Sequence, residues 1–225
     1  MRFSDQLKDD LSTYFLLNHP FYRAWMKGEL SLDKLKQYAV QYLPHVEAFP
    51  RYVSAVHSFC ETEKWRKHLL ENLMEEEGAT GGKDHPQLWK QFGMGLGLSD
   101  QDFRNSPIGE RAKALVTTYW SLCRSSYAEG LAAVYAYEYQ VPEIAKAKIE
   151  GLRNNYRIQE PDTLAFFSVH ELADKHHSES CAQMLDEVPP LERGQALDAG
   201  RRAGLALWDF LSEVHEGGLC RQKVN

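Results

Sequence analysis

No apolar run in this sequence approaches the roughly 18 residues that a membrane-spanning helix needs, which argues against a chain embedded in a bilayer. There is no excess of positive charge either. Lys and Arg number 26 against 32 Asp and Glu, the net charge is −6, and the charges are interspersed. Without a basic stripe to neutralise phosphates, or a polybasic tail to meet anionic lipid, neither nucleic acid nor a membrane surface is an expected partner. Cysteine is sparse. Cys60, Cys123, Cys181 and Cys220 lie far apart, with no CxxC pair and no spacing of a zinc ribbon or disulfide framework, so packing in a reducing compartment is their expected role. The opening MRFSDQLKDDLSTYF is amphipathic with early acidic residues, unlike a leader, and the expected location is the cytoplasm. Strand-like alternation is scarce and β-branched residues never cluster. The one glycine-rich stretch, Gly78 to Asp84, lacks the GK[ST] ending of a phosphate-binding loop and follows no strand, so it reads as a connection.

What is present is apolar residues at helical spacing almost throughout, at 43% hydrophobic composition over 225 residues. That is enough to bury one sizeable core, and the expectation is an all-α helical bundle forming a single domain over residues 1–225. The expected helices are 3–17, 20–28, 31–48, 50–61, 62–77, 85–97, 99–104, 107–138, 141–155, 161–186 and 190–216. Ser31 and Ser99 are N-cap candidates, and Pro142 and Pro161 sit where a first turn tolerates a missing N–H. Pro44 and Pro50 fall inside an apolar-periodic run, so residues 31–61 are expected as two kinked pieces.

The strongest chemical signal is His170-Glu-Leu-Ala-Asp174-Lys-His176-His177 in the helix 161–186. Positions i, i+4 and i+7 share a face, which puts His170, Asp174 and His177 on one side. Imidazole and carboxylate together suit iron, manganese or zinc. A second metal would need carboxylates from other helices. Glu138 is the only charge in the apolar run LAAVYAYEYQVPEIA, and a buried carboxylate is costly unless protonated, hydrogen-bonded or bound to metal. The triplet Glu75-Glu76-Glu77 followed by His85 supplies a further carboxylate and imidazole. Inward-facing carboxylates and histidines are how helical bundles hold two metals, although the ferritin-like Glu-x-x-His pair is missing and the topology must differ.

The segments HPFYRAWMKGELS, YLPHVEAFPRYVSAVHS, LLENLMEEE, DHPQLW, YAYEYQVPEIAKAKIEGL and HELADKHH resemble, in order and over roughly residues 10–215, the CADD-like 4-aminobenzoate synthases, a family named for a chlamydial protein associating with death domains. The resemblance implies a haem-oxygenase-like (TenA/PqqC-like) bundle with a dinuclear iron or iron–manganese site that uses O2 and an external reductant. It implies metal ligands at Glu76, His85, Glu138, His170, Asp174 and His177. It also implies that Tyr22 is consumed to make 4-aminobenzoate, a folate precursor, with Lys148 as amino donor. By local pattern alone Tyr22 is a packed aromatic and Lys148 a solvated helix lysine. Two departures stand out: the connection from Glu76 to His85 is about two residues longer than in the family, and Phe166 replaces an expected tyrosine. Two other readings compete. One is a metal-free enzyme of thiamine or coenzyme PQQ metabolism on the same fold, for which Cys60 or Cys123 would be the nucleophile. The other is a non-enzymatic helical interaction module, to which a death-domain association would belong by resemblance only. A homodimer is the expected assembly, since most soluble oligomers are twofold.

Overall fold

The computed structural model describes residues 1–217, with the backbone alone for 172–176. The described residues contain eleven α-helices: α1 (Phe3–Leu11), α2 (Pro20–Lys27), α3 (Leu32–Phe59), α4 (Glu63–Glu76), α5 (His85–Gly95), α6 (Asp100–Asn105), α7 (Glu110–Leu122), α8 (Tyr127–Glu138), α9 (Val141–Asn155), α10 (Pro161–Asp186) and α11 (Arg193–Glu216). Cys220 lies outside the described residues. No described helix is long and apolar enough to cross a membrane.

Three expectations are corrected. The N-terminal helix stops at Leu11, and two 3₁₀ turns, Ser12–Tyr14 and Leu16–Asn18, lead into α2. α3 runs unbroken through Pro44 and Pro50. Each interior proline costs about 3 kcal/mol in an isolated helix. Here the burial of Tyr38, Tyr42, Phe49, Tyr52 and Val53 on the same helix offsets it. The long helix expected over 107–138 is two, because Ser126 begins a new one. Its Oγ accepts from the Glu129 N–H and donates to the Glu129 carboxylate, a capping pair written in the sequence as S-x-x-E.

The helices stack so that α8 lies between α11 and α10, α3 runs along α4, α5 and α7, and α9 and α5 flank α10. Small side chains allow the close approaches. A Cβ on Gly151 of α9 would fall 2.6 Å from Trp25 Cδ1, so glycine there lets α9 seat on α2. Gly28 ends α2 in the left-handed conformation, φ 71°, which a side chain would disfavour.

Two buried histidines make this fold sensitive to acid. His19 caps α2, its Nδ1 accepting from the Phe21 N–H while Nε2 meets Ser212 Oγ at 3.0 Å, an arrangement that requires the neutral ring. Burial pulls its pKa down to about 4. His45, boxed by Tyr42, Phe49, Tyr52, Tyr119 and Tyr137, is pulled by burial from 6.5 to about 3. Both values are lowered on folding, so below pH 6.5 the unfolded chain gains protons that the folded chain refuses, and stability falls with pH. For His45 alone the loss between pH 6.5 and 5 is ~2 kcal/mol. Urea unfolding at pH 7 and pH 5 measures it, and His45→Phe is expected to flatten the difference; an unchanged slope would refute the assignment.

Candidate metal centre and adjoining cavity

α4 turns one stripe inward: Trp65, Leu69, Asn72 and Glu76 are its buried residues. That phase selects Glu76 from the acidic triplet, leaving Glu77 exposed and Glu75 partly so. After the glycine-rich turn, Asp84 caps α5 by accepting from the Gln87 N–H at 2.7 Å, which makes His85 the first helical residue and directs it back toward α4. Glu76 Oε2 and His85 Nδ1 lie 2.6 Å apart, and the His85 and His170 rings are 4.4 Å apart. Ligand atoms of Glu76, His85 and His170 all fall within 4.8 Å of one another. His170 Nδ1 donates to the Phe166 carbonyl at 2.6 Å, which leaves the Nε2 lone pair for a cation. Burial, and then the neighbouring His85, hold His170 well below the ordinary imidazole range, so it is neutral as a ligand must be.

Glu138, at the end of α8, is buried beside this group. Asn72 Nδ2 donates to its Oε1 at 2.6 Å and Cys181 Sγ donates to its Oε2 at 3.2 Å. Burial raises its pKa, and the Glu76 charge adds to the rise, while His177, Asn72 and Cys181 oppose it. His177 Nε2 lies 3.3 Å from Glu75 Oε2. The Asp174 side chain lies outside the described residues. Among the described ion pairs no Lys or Arg neutralises Glu76 or Glu138. Glu76, His85 and His170 form a carboxylate and imidazole donor group whose chemistry fits divalent iron or manganese, with the buried Glu138 carboxylate beside it.

A cavity of about 20 Å³, room for one water, adjoins this group and is lined in part by Tyr22, Tyr42, Lys148, Phe166 and His170. Lys148 Nζ donates to Tyr38 Oη at 2.8 Å, and Tyr38 Oη lies 3.1 Å from Tyr22 Oη. The ammonium nitrogen is 5.3 Å from the Tyr22 ring centroid. Burial lowers the Lys148 pKa to about 7 and raises those of Tyr22 and Tyr38. The Trp25 indole donates to the Lys148 carbonyl at 3.3 Å, so the close seating at Gly151 fixes the lysine's height along α9. The Phe166 ring lies tilted against His170, centroids 4.2 Å apart, which puts an apolar wall where a tyrosine would have brought a hydroxyl.

Sequence reasoning did not single out Asn72, Cys181 or Tyr38. Asn72 and Cys181 were findable, each lying four residues from a candidate ligand on the same face, before Glu76 and after His177. Tyr38 had no local signal. Of the two cysteines offered for metal-free chemistry, Cys60 and Cys123, the second fares poorly: burial raises the Cys123 thiol to about 12, the reverse of an activated nucleophile.

The family described as iron-containing redox enzyme matches residues 36–209. The 4-aminobenzoate synthase of Chlamydia muridarum is 39% identical over 221 residues, covering 98% of this chain and 93% of the relative. That of Nitrosomonas europaea is 39% identical over 238 residues, covering 99% and 96%. The crystal structure of a TenA homologue from Pseudomonas syringae superimposes with a TM-score of 0.81 at 17% identity, covering 95% of this chain and 93% of that one, and so speaks to the fold. Near-complete coverage at such identity, together with the redox-enzyme match, establishes that the chain belongs to the 4-aminobenzoate synthase family of iron-containing redox enzymes.

Proposed function

We propose that the protein is an oxygen-dependent, dinuclear non-haem metal enzyme that makes 4-aminobenzoate from the side chain of its own Tyr22, with nitrogen supplied by Lys148. The observation that carries this reading is the meeting of Tyr22 and Lys148 through Tyr38 at a cavity that His170 also lines. Glu76, His85 and His170 would hold one metal, and Glu138, His177 and Asp174 would complete a second site. Bound iron, or iron with manganese, would supply the reduction of O2 by an external donor, chemistry that no side chain provides.

The protein's own part is orientation, exclusion of water and control of protons. Making 4-aminobenzoate from tyrosine breaks the Cα–Cβ bond, oxidises the benzylic carbon to a carboxylate and replaces the phenolic oxygen by nitrogen. Tyr38 holds the lysine nitrogen beside the phenol that must accept it. Aromatic packing by Phe21, Trp25 and Tyr38 around Tyr22 keeps bulk water from the reacting ring. At a pKa near 7 about half of the lysine is a neutral amine at neutral pH, whereas an ordinary lysine would be almost wholly charged.

Protein purified from cells supplied with iron and manganese, then exposed to O2 and reductant, tests the proposal. Near two metals per chain, 4-aminobenzoate in solution and mass changes at two residues are expected, Tyr22 losing its ring and Lys148 its amine; a reconstituted protein with intact Tyr22 and no product refutes it. The amine must be neutral to act, so single-turnover yield is expected to rise as pH increases through about 7. Lys148→Arg, which stays charged, should give no product at any pH; a flat pH profile in the unaltered protein would remove Lys148 as donor.

A further inference from the structure

We propose that Trp120, Tyr52, Tyr119 and His45 form a path along which single electrons travel between the protein surface and the Tyr42 edge of the cavity; its purpose, though not its existence, rests on the oxygen chemistry proposed above. The rings are in continuous contact. Tyr42 lines the cavity and lies 5.2 Å, centroid to centroid, from His45. His45 stands edge-on to Tyr119 at 4.8 Å, Tyr119 is 5.5 Å from Tyr52, and Tyr52 is 6.2 Å from Trp120. Trp120 is half-buried and forms part of the wall of a surface groove of about 470 Å³, with the Arg51 and Arg124 guanidiniums 4.3 and 3.9 Å from its ring. Electron tunnelling decays exponentially with separation, so a line of touching oxidisable rings is a faster route than the aliphatic packing around it.

A second observation concerns polar atoms rather than rings. Both His45 nitrogens and the Tyr119 hydroxyl are buried without a hydrogen-bond partner. Each such orphan costs about 1–3 kcal/mol, and phenylalanine would fill either position without that cost. Oxidising a tyrosine releases its phenolic proton, so an oxidisable Tyr119 needs a neutral base beside it. His45 is a neutral base against that ring, edge-on at 4.8 Å and kept unprotonated by burial; the two groups share no hydrogen bond at rest, so a rotation of the imidazole must bring a nitrogen onto the hydroxyl before the proton moves. The two groups that weaken the core are the two that a proton-coupled electron step requires.

The balance is simple. A one-electron donor in solution, a thiolate or a reduced flavin, loses one electron to oxidised Trp120, and one oxidising equivalent at the cavity is consumed. When Tyr119 is the oxidised station its phenolic proton moves to a His45 nitrogen, and it returns when the electron from Trp120 arrives, so no proton leaves the core. The flanking guanidiniums make Trp120 hard to oxidise, so a vacancy there is passed on rather than stored.

Pulse radiolysis of the full-length protein with azide radicals, which oxidise exposed indoles, tests the path without metal turnover. Electronic coupling is the same in both directions, so a vacancy made at Trp120 should run inward. The indole radical is expected to convert to a phenoxyl radical in a first-order phase independent of protein concentration. Trp120→Phe should abolish that phase, and the near-isosteric pair Tyr52→Phe with Tyr119→Phe should abolish it while the Trp120 radical persists. The same phase at unchanged rate and amplitude in either variant overturns the proposal. That failure would leave the roles of Tyr22 and Lys148 untouched, and failure of those roles would leave this measurement standing.

Discussion

Tyr22→Phe is expected to yield a folded protein that loads metal as before and forms no 4-aminobenzoate. The substitution keeps the ring and its packing against Phe21, Trp25 and Tyr38, and removes one hydroxyl. The lost hydrogen bond to Tyr38 is worth about 1 kcal/mol, a small shift in thermal midpoint. Lys148 keeps its own bond to Tyr38, so the amine stays in place. The loss of product is therefore attributable to the ring chemistry, because phenylalanine has no phenolic oxygen to be exchanged for nitrogen. Mass spectrometry of the supernatant after exposure to O2 and reductant decides the matter. Product at the yield of the unaltered protein would mean that the carbon skeleton comes from elsewhere.

Glu138→Gln is expected to act in opposite directions on metal affinity and on the metal-free fold. Glu138 is buried near Glu76, and burial with like charge has already pushed its pKa upward. Without metal, glutamine relieves that repulsion and can still accept from Asn72, so the midpoint of chelator-treated protein should rise, by about 1 kcal/mol of stability. On the proposed ligand set, the metal-loaded variant lacks one ligand. Its affinity should drop beyond the ~10–100-fold that loss of an outer hydrogen-bonding partner costs, and metal content should fall by one per chain. Thermal unfolding with and without chelator, alongside metal analysis, reads both effects. A variant with full metal content and unchanged affinity would remove Glu138 from the ligand set.

Much of the fold was legible where helix ends carry chemistry. α9 and α10 span the expected 141–155 and 161–186, each opening on a proline in its first turn. Ser99 caps α6 with a reciprocal Asp102 contact. The errors arose where punctuation and packing disagree. Pro44 and Pro50 looked like breaks but sit in a helix whose burial outweighs them, whereas the break between α7 and α8 has neither proline nor glycine to announce it. The candidate metal group was partly legible for a similar reason. Glu138 stands out as a lone charge in an apolar run, and His170 and His177 share a face, so one-dimensional spacing suffices. The Tyr22–Tyr38–Lys148 contact joins α2, α3 and α9. No periodicity within a single helix encodes such a meeting, and Tyr22 and Lys148 came into view only through resemblance to a family.

On the proposed reaction, the burial of Tyr22 also sets the fate of the spent chain. Its side chain is 3% exposed, wedged among large rings. A chain that gives up that ring as product is left with a void the size of an aromatic side chain in its core, and truncations of that kind cost about 3–5 kcal/mol. Domains hold only about 5–15 kcal/mol in reserve. The spent polypeptide would thus open far more often than the fresh one and offer itself to proteases, so that a single firing both releases the product and marks the used molecule for recycling.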